Sequence, residues 1–188
     1  MQLGRILCCG LLIACVAPAC AADDIVEAME AARKAYQAGD MTAAKQSLDL
    51  ASQLVGQKNA ESFVALLPGP LPGWKAEQAQ ANAVGQVGFG ASTASRSYTN
   101  DKGDSVEVQI TGDSALVAQF GALVNNPAIA GAMGKIIKVG SQRAIQTREG
   151  DINIVVANKF MVSVSGSADA PTKLSYAQAV SLDKLAKM

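Results

Sequence analysis

Apolar residues recur at spacings of three and four after residue 23, and this period predicts two consecutive helices. The predicted helices are Asp24–Ala38 and Met41–Val55. Gly39 and Asp40, which separate them, are typical of a helix C-cap and of the next N-cap. The expected apolar stripes are Ile25, Met29, Ala32 and Tyr36 on the first helix, and Ala44, Leu48, Ala51 and Val55 on the second. We expect a helical hairpin with both stripes buried, so that Leu48 is a core residue.

The centre of this hairpin, residues 31–51, resembles a tetratricopeptide repeat. The resemblance rests on Tyr36, on the Gly39-Asp40 turn, and on small residues such as Ala44. In that family such a turn joins two antiparallel helices that pack closely. The sequence contains no second copy, and stacked repeats need about three units for stability. We therefore expect a lone hairpin over 22–67 that packs on its own domain; the alternative is a partner-binding repeat array.

The pattern changes after a stiff linker at 68–73, where three prolines favour extended backbone. Trp74 is expected to open a strand, and 76–92 to form a loop or an irregular edge. Apolar and polar residues then alternate with period two, most clearly around Val108, which we expect in the core. The predicted strands are Ser92–Thr99, Val106–Ile110, Lys135–Val139, Arg143–Thr147, Asp151–Ala157 and Lys159–Ser165.

Helices are predicted between and after these strands: Leu116–Val124, a short one from Asn126-Pro127, and Thr172–Lys187. Short connections favour antiparallel pairing of the strands. The sequence therefore predicts an α+β fold, in which a helical hairpin precedes an antiparallel sheet with helices on one face, over 74–188. The order of elements after Trp74 is similar to that of Mog1/PsbP-like sheets, and no function is carried over from this likeness.

The first 21 residues have the pattern of a secretory signal peptide. Arg5 precedes the apolar run Ile6–Val16, and small residues then lead to a cleavage site after Ala21, or second after Ala22. This layout resembles that of small exported bacterial proteins and predicts a periplasmic or secreted protein. The alternative is a lipoprotein, because 12–15 resembles a lipoprotein box with Cys15 as the lipidated residue.

The processed chain is expected to lack the residue types on which most familiar catalytic sites depend. All four cysteines lie within the first 20 residues, and the sequence contains no histidine. Zinc, copper and haem sites would lack their usual ligands, so we expect no cofactor and no metal. The net charge of zero provides no basic excess for nucleic acid. Four cations of the sheet are expected on a solvated face: Arg96, Lys138, Arg143 and Arg148.

Three short motifs resemble functional ones but are incomplete. Gly112-Asp113-Ser114 resembles the block of GDSL hydrolases, which need a histidine base; we interpret it as a strand end and helix cap. Ser181 and Lys184 have the Ser-x-x-Lys spacing of penicillin-recognising enzymes, whose other elements are missing. The acidic turn at 100–104 lacks the spacing of a calcium loop.

Three aromatic side chains are the candidate contacts for a partner or ligand. Tyr36 lies in the hairpin, Trp74 follows the linker, and Phe89 lies in the glycine-rich segment 85–90. Trp74 is either a core anchor or an exposed binding platform. The segment around Phe89 is a flexible loop or one that lies over a ligand pocket.

These observations favour a non-enzymatic envelope protein that binds a partner protein or a small ligand. One alternative is a carboxylate-dependent hydrolase of an envelope substrate. A concave site that holds two carboxylates within about 10 Å of each other would favour it. The other is a lipid-anchored assembly factor, which requires that Cys15 remain in the mature protein.

Overall fold

A computed structural model describes residues 21–83, 91–112 and 114–188. The helices are α1 Ala21–Gln37, α2 Met41–Val64, α3 Ala115–Asn125, α4 Pro127–Met133, α5 Ala170–Ala179 and α6 Leu182–Leu185. The strands are β1 Trp74–Ala76, β2 Gln80–Ala83, β3 Ser92–Asn100, β4 Ser105–Gly112, β5 Lys135–Val139, β6 Gln142–Gln146, β7 Ile152–Val156 and β8 Phe160–Ser165.

All of these strands join one antiparallel sheet with the order β1-β3-β4-β8-β7-β6-β5, and β2 also pairs with β3. The strands β1 and β2 lie along the same edge of β3: Trp74 is opposite Asn100, and Ala81 is opposite Ala94. The predicted α+β class, a helical hairpin followed by an antiparallel sheet with packed helices, is confirmed. The helices lie on both faces of the sheet and not on one as expected, because α3 and α4 pack on the face opposite to α2, α5 and α6.

The main core lies between the sheet and the end of α2 together with α5 and α6. Alternate residues of the central strands point into it, and Val108 is fully buried as predicted. From α2, Phe63 packs edge-on against Phe160 with ring centroids 5.7 Å apart. A smaller cluster of Val124, Ala130 and Ile145, with Phe120 and Val155 against it, lies on the other side of the sheet, because successive side chains of a strand alternate between faces.

The predicted burial of the helical stripes is wrong for four of their large members, whereas Ile25 is half-buried. Leu48 is 57% exposed, and Met29, Tyr36 and Val55 are exposed as well. The seam between α1 and α2 is made instead by alanines. Because alanine side chains let two helices approach closely, the larger side chains remain at the margin of the seam.

Three secondary-structure elements also differ from the prediction. The helix α2 continues to Val64, well beyond Val55, since its last turns pack on the sheet. The strand β2 lies within 76–92, where a loop or irregular edge was expected. The C-terminal helix divides because Val180 is extended (φ −67°, ψ 140°) and the Ser181 N–H donates to the Leu66 carbonyl at 3.2 Å.

The predicted signal peptide, apart from Ala21, lies outside the described residues, as do Cys15 and Phe89. Within the described ranges, no helix is both long enough and apolar enough to cross a bilayer.

Candidate functional site

The turn between α1 and α2 fixes the hairpin as an antiparallel pair. Gly39 adopts φ +78°, a conformation that glycine reaches without strain. The Asp40 N–H donates to the Ala35 carbonyl at 3.0 Å, and the Asp40 carboxylate accepts from the Ala43 N–H at 2.9 Å. The first bond closes α1 and the second caps α2, so the chain reverses within one short turn.

Alanine side chains form the seam along which the two helices touch. Ala28 and Ala32 of α1 and Ala44 and Ala51 of α2 are each no more than 6% exposed. Such small side chains allow close packing but bury little apolar area. The seam therefore positions the hairpin without covering the larger apolar residues beside it.

Five large apolar side chains lie beside this seam: Met29, Tyr36, Met41, Leu48 and Val55, which we call the hairpin face. Their exposed fractions lie between 41% and 64%. Each is three residues before or four residues after a seam alanine, and this offset places all of them on one side of the seam in their own helix. Because α1 and α2 are antiparallel, the same offset leads to the same side of the hairpin in both helices.

The opposite side of the seam holds a groove of about 390 Å³. Its floor includes Ala31, Leu50 and Leu54, and the carboxylates of Asp24 and Glu27 line it. The two acids are one turn apart on the same helix, whereas the carboxylates of a glycosidase flank the bond that is cleaved. As neighbours on the helix surface, the two acids meet the separation of about 10 Å named above for a carboxylate pair, but they lie on one side of the groove and do not face each other across it.

Charged residues next to the hairpin face are paired within their own helices. Arg33 lies 2.7 Å from Glu30 on α1, and Lys45 lies 3.0 Å from Asp49 on α2. All four side chains are substantially exposed, so these pairs contribute little to stability. Their effect on the surface is to leave the hairpin face apolar and without a dominant charge.

Trp74 and Tyr36, two of the aromatic candidates, lie in different surroundings. Trp74 is half-buried and packs edge-on against Tyr176 at a centroid distance of 5.6 Å, next to the main core. Tyr36 is 64% exposed on the hairpin face. The two are not brought together in one site.

Arg96 does not lie on a solvated face as the sequence suggested, although Lys138, Arg143 and Arg148 are exposed. It is opposite Val108 and therefore points toward the core side of the sheet. Its Nη1 donates to the Pro68 carbonyl at 3.3 Å, and its Nε is buried without a hydrogen-bond partner among the described residues.

Tyr98 shares the Pro68 carbonyl with Arg96. Its hydroxyl donates to that oxygen at 2.7 Å. Burial raises the pKa of Tyr98 to about 12, and the adjacent Arg96 charge opposes part of this shift. The hydrogen bonds from Tyr98 and Arg96 attach Pro68, at the start of the linker, to strand β3. We interpret these bonds as structural.

Two of the incomplete motifs lie at the ends of secondary-structure elements. Ser181 and Lys184 line a shallow cavity of about 280 Å³. Gly112 ends β4 where a Cβ would lie 2.8 Å from the rings of Phe63 and Phe160, so close packing requires glycine there; Asp113 lies outside the described residues.

The acidic turn at 100–104 is stabilised by hydrogen bonds within the turn and by an ion pair with β1. The Asn100 side chain accepts from the backbone N–H groups of Lys102 and Asp104, and Asp101 pairs with Lys75 at 2.8 Å. In the described ranges, no group of three acidic residues is placed to hold a metal ion.

Sequence reasoning found Tyr36 but missed the hairpin face as a surface. The sequence does contain a signal for this surface. Large apolar residues recur every seven positions in each helix, and an alanine lies three residues after each one that is followed by another. A repeat of seven indicates helices that pack along a long seam.

The chain matches no protein-family model, no curated protein and no solved structure.

Proposed function

We propose that this chain is an exported, non-enzymatic protein of the cell envelope that docks a partner protein through its hairpin face. The observation that carries the proposal is the exposure of five large apolar side chains on one side of α1 and α2. The main core of the sheet is well covered by helices. Other large apolar side chains such as Val26 and Leu50 are exposed as well, but the hairpin face aligns five of them along one side of the seam.

The energetics favour a covered hairpin face. Complete burial of one large apolar side chain contributes about 1.5–3 kcal/mol. Covering five that are already half-buried offers on the order of 5 kcal/mol before the costs of association are subtracted. Contiguous apolar patches of this kind mark interaction surfaces on soluble proteins. Tyr36 adds an aromatic anchor with a hydroxyl, a residue type enriched among binding hot spots.

The shape favours a protein as the partner. Small-molecule sites are concave and enclose most of the ligand, whereas the hairpin face is the outer surface of two packed helices. A second helical or flat apolar surface can cover it. The proposed export rests on the signal-like pattern of residues 1–21, which would deliver the hairpin to the envelope.

Site-specific photo-cross-linking in the native host tests this proposal. Benzoylphenylalanine is placed at position 36 or 48 in the hairpin face, and at position 102, in the exposed β3–β4 turn, as the control. We expect a specific cross-linked species from 36 and 48 that is absent from 102. Cross-linking at none of the three positions, or equally at all three, would overturn the proposal.

A further inference from the structure

We infer that the partner that covers the hairpin face is a second copy of this chain, so that two hairpins form a four-helix bundle about a two-fold axis. This inference rests on the proposed function, and it names the occupant of the same surface. Three features of the described residues support it: the period of the face, its charge and its size.

The period of the hairpin face suits helices that pack side by side. On α2, Met41, Leu48 and Val55 alternate with Ala44 and Ala51 in a continuous heptad pattern. On α1, Met29 and Tyr36 continue the spacing of seven on the same side of the seam. Four-helix bundles use this repeat, with helices crossing at about 20°. Two hairpins that present the same repeat can therefore interlock along their lengths.

The charge of the hairpin face permits contact with its own copy. A two-fold interface places the same patch on both partners, so a patch with one dominant charge would repel itself. The charged neighbours, Glu30 with Arg33 and Lys45 with Asp49, are neutralised within one helix. A face that is apolar and flanked by both signs is self-complementary, and it provides no particular attraction for a strongly acidic or basic partner.

The size of the hairpin face approaches that of a dimer interface. Five half-exposed large side chains present on the order of 500 Å² per copy, and a standard interface buries about 800 Å² per partner. The aliphatic parts of flanking side chains such as Lys45 would supply much of the difference. The expected product is a reversible dimer, not an obligate one.

Sedimentation equilibrium of the purified, processed protein over the micromolar range tests the inference. We expect a monomer–dimer equilibrium that Leu48→Lys weakens by about tenfold or more, since the dimer would bury an unpaired charge. Met29→Lys, on α1, should have the same effect. The matched control is Leu50→Lys, because Leu50 is a leucine of the same helix, similarly exposed, that lines the groove across the seam; it should leave dimerisation unchanged.

Each outcome decides between the two proposals. A protein that stays monomeric at every concentration would overturn the dimer, as would equal weakening by Leu48→Lys and Leu50→Lys. If the monomer is nevertheless cross-linked through position 48 to a different protein in the host, that result supports the proposed docking function. It refutes only the inference that the partner is a second copy of the chain. A cross-link between two copies of the chain, together with loss of the dimer in Leu48→Lys, supports both. Thermal unfolding of each variant verifies that Leu48→Lys and Met29→Lys remain folded.

Discussion

The ammonium group of Lys173 lies 2.7 Å from the carboxylate of Asp151, although the lysine side chain is only 2% exposed. It also donates to the Glu149 carbonyl at 3.0 Å. Lys173 belongs to α5 and Asp151 follows the β6–β7 turn, so this contact holds the turn against the helix. Asp151 is 34% exposed, so water can solvate its carboxylate. The buried ammonium of Lys173 has no such access to water and therefore depends on the ion pair more than Asp151 does.

Asp151→Ala is expected to destabilise the protein more than Lys173→Met does. Removal of the carboxylate leaves a charged amine buried with one carbonyl, and breaking a buried pair in this way costs about 3–5 kcal/mol. Lys173→Met keeps the aliphatic packing and leaves Asp151 with access to water, so we expect a loss of about 1–2 kcal/mol. Urea unfolding of the two variants measures the difference. Equal losses, or a larger loss for Lys173→Met, would contradict this account of the pair.

Gly112→Ala is expected to destabilise the core by about 1–3 kcal/mol, the usual cost of overpacking. The new methyl group would lie 2.8 Å from the rings of Phe63 and Phe160, which already pack edge-on. Gly131→Ala is the control: it lies in α4, and a Cβ there has no neighbour within 4 Å. Since alanine favours helix, that variant should be neutral or slightly more stable. Denaturation midpoints of both variants, compared with wild type, provide the test.

Tyr98 should make the protein sensitive to alkali between about pH 10 and pH 12. Burial raises its pKa from 10.0 to about 12 in the folded state, so folding favours the neutral phenol. The resulting stability is complete below pH 10 and is lost as the pH rises toward 12, by an amount on the order of 2 kcal/mol. Urea unfolding at a series of pH values measures the loss.

Tyr98→Phe separates this titration from general alkaline damage. The variant loses the hydrogen bond to Pro68 and should be less stable at neutral pH by about 1 kcal/mol. Its stability should nevertheless fall less steeply between pH 10 and pH 12 than that of wild type. Parallel pH profiles for the two proteins would show that Tyr98 is not the group responsible.

Periodicity was sufficient to predict most strands and the fold class, because burial alternates strictly along β7 and β8 and along most of β4, around residues such as Val108. It predicted the apolar side of α2 as well, but it could not predict what covers that side. Whether a side chain is buried depends on which helices and strands pack against it. The two helices of the hairpin pack through their alanines, and Leu48 lies outside this helix–helix contact. The partners of Lys173 and Arg96 were missed for the same reason, since Asp151 and Pro68 are distant from them in sequence.

Leu48→Asp and Val108→Asp are expected to differ sharply, although both residues occupy apolar positions of the sequence pattern. Val108 is fully buried at the centre of the sheet, where an aspartate would place a charge without a partner in the core; we expect no stably folded protein. Leu48 is 57% exposed, so Leu48→Asp should change the free energy of unfolding of the monomer by no more than about 1 kcal/mol. Its effect should appear instead in self-association. Circular dichroism melting at a concentration where wild type is monomeric makes the comparison. Loss of the folded state in Leu48→Asp would show that the hairpin face is part of the core, whereas a normally stable Val108→Asp would refute the assignment of the sheet core.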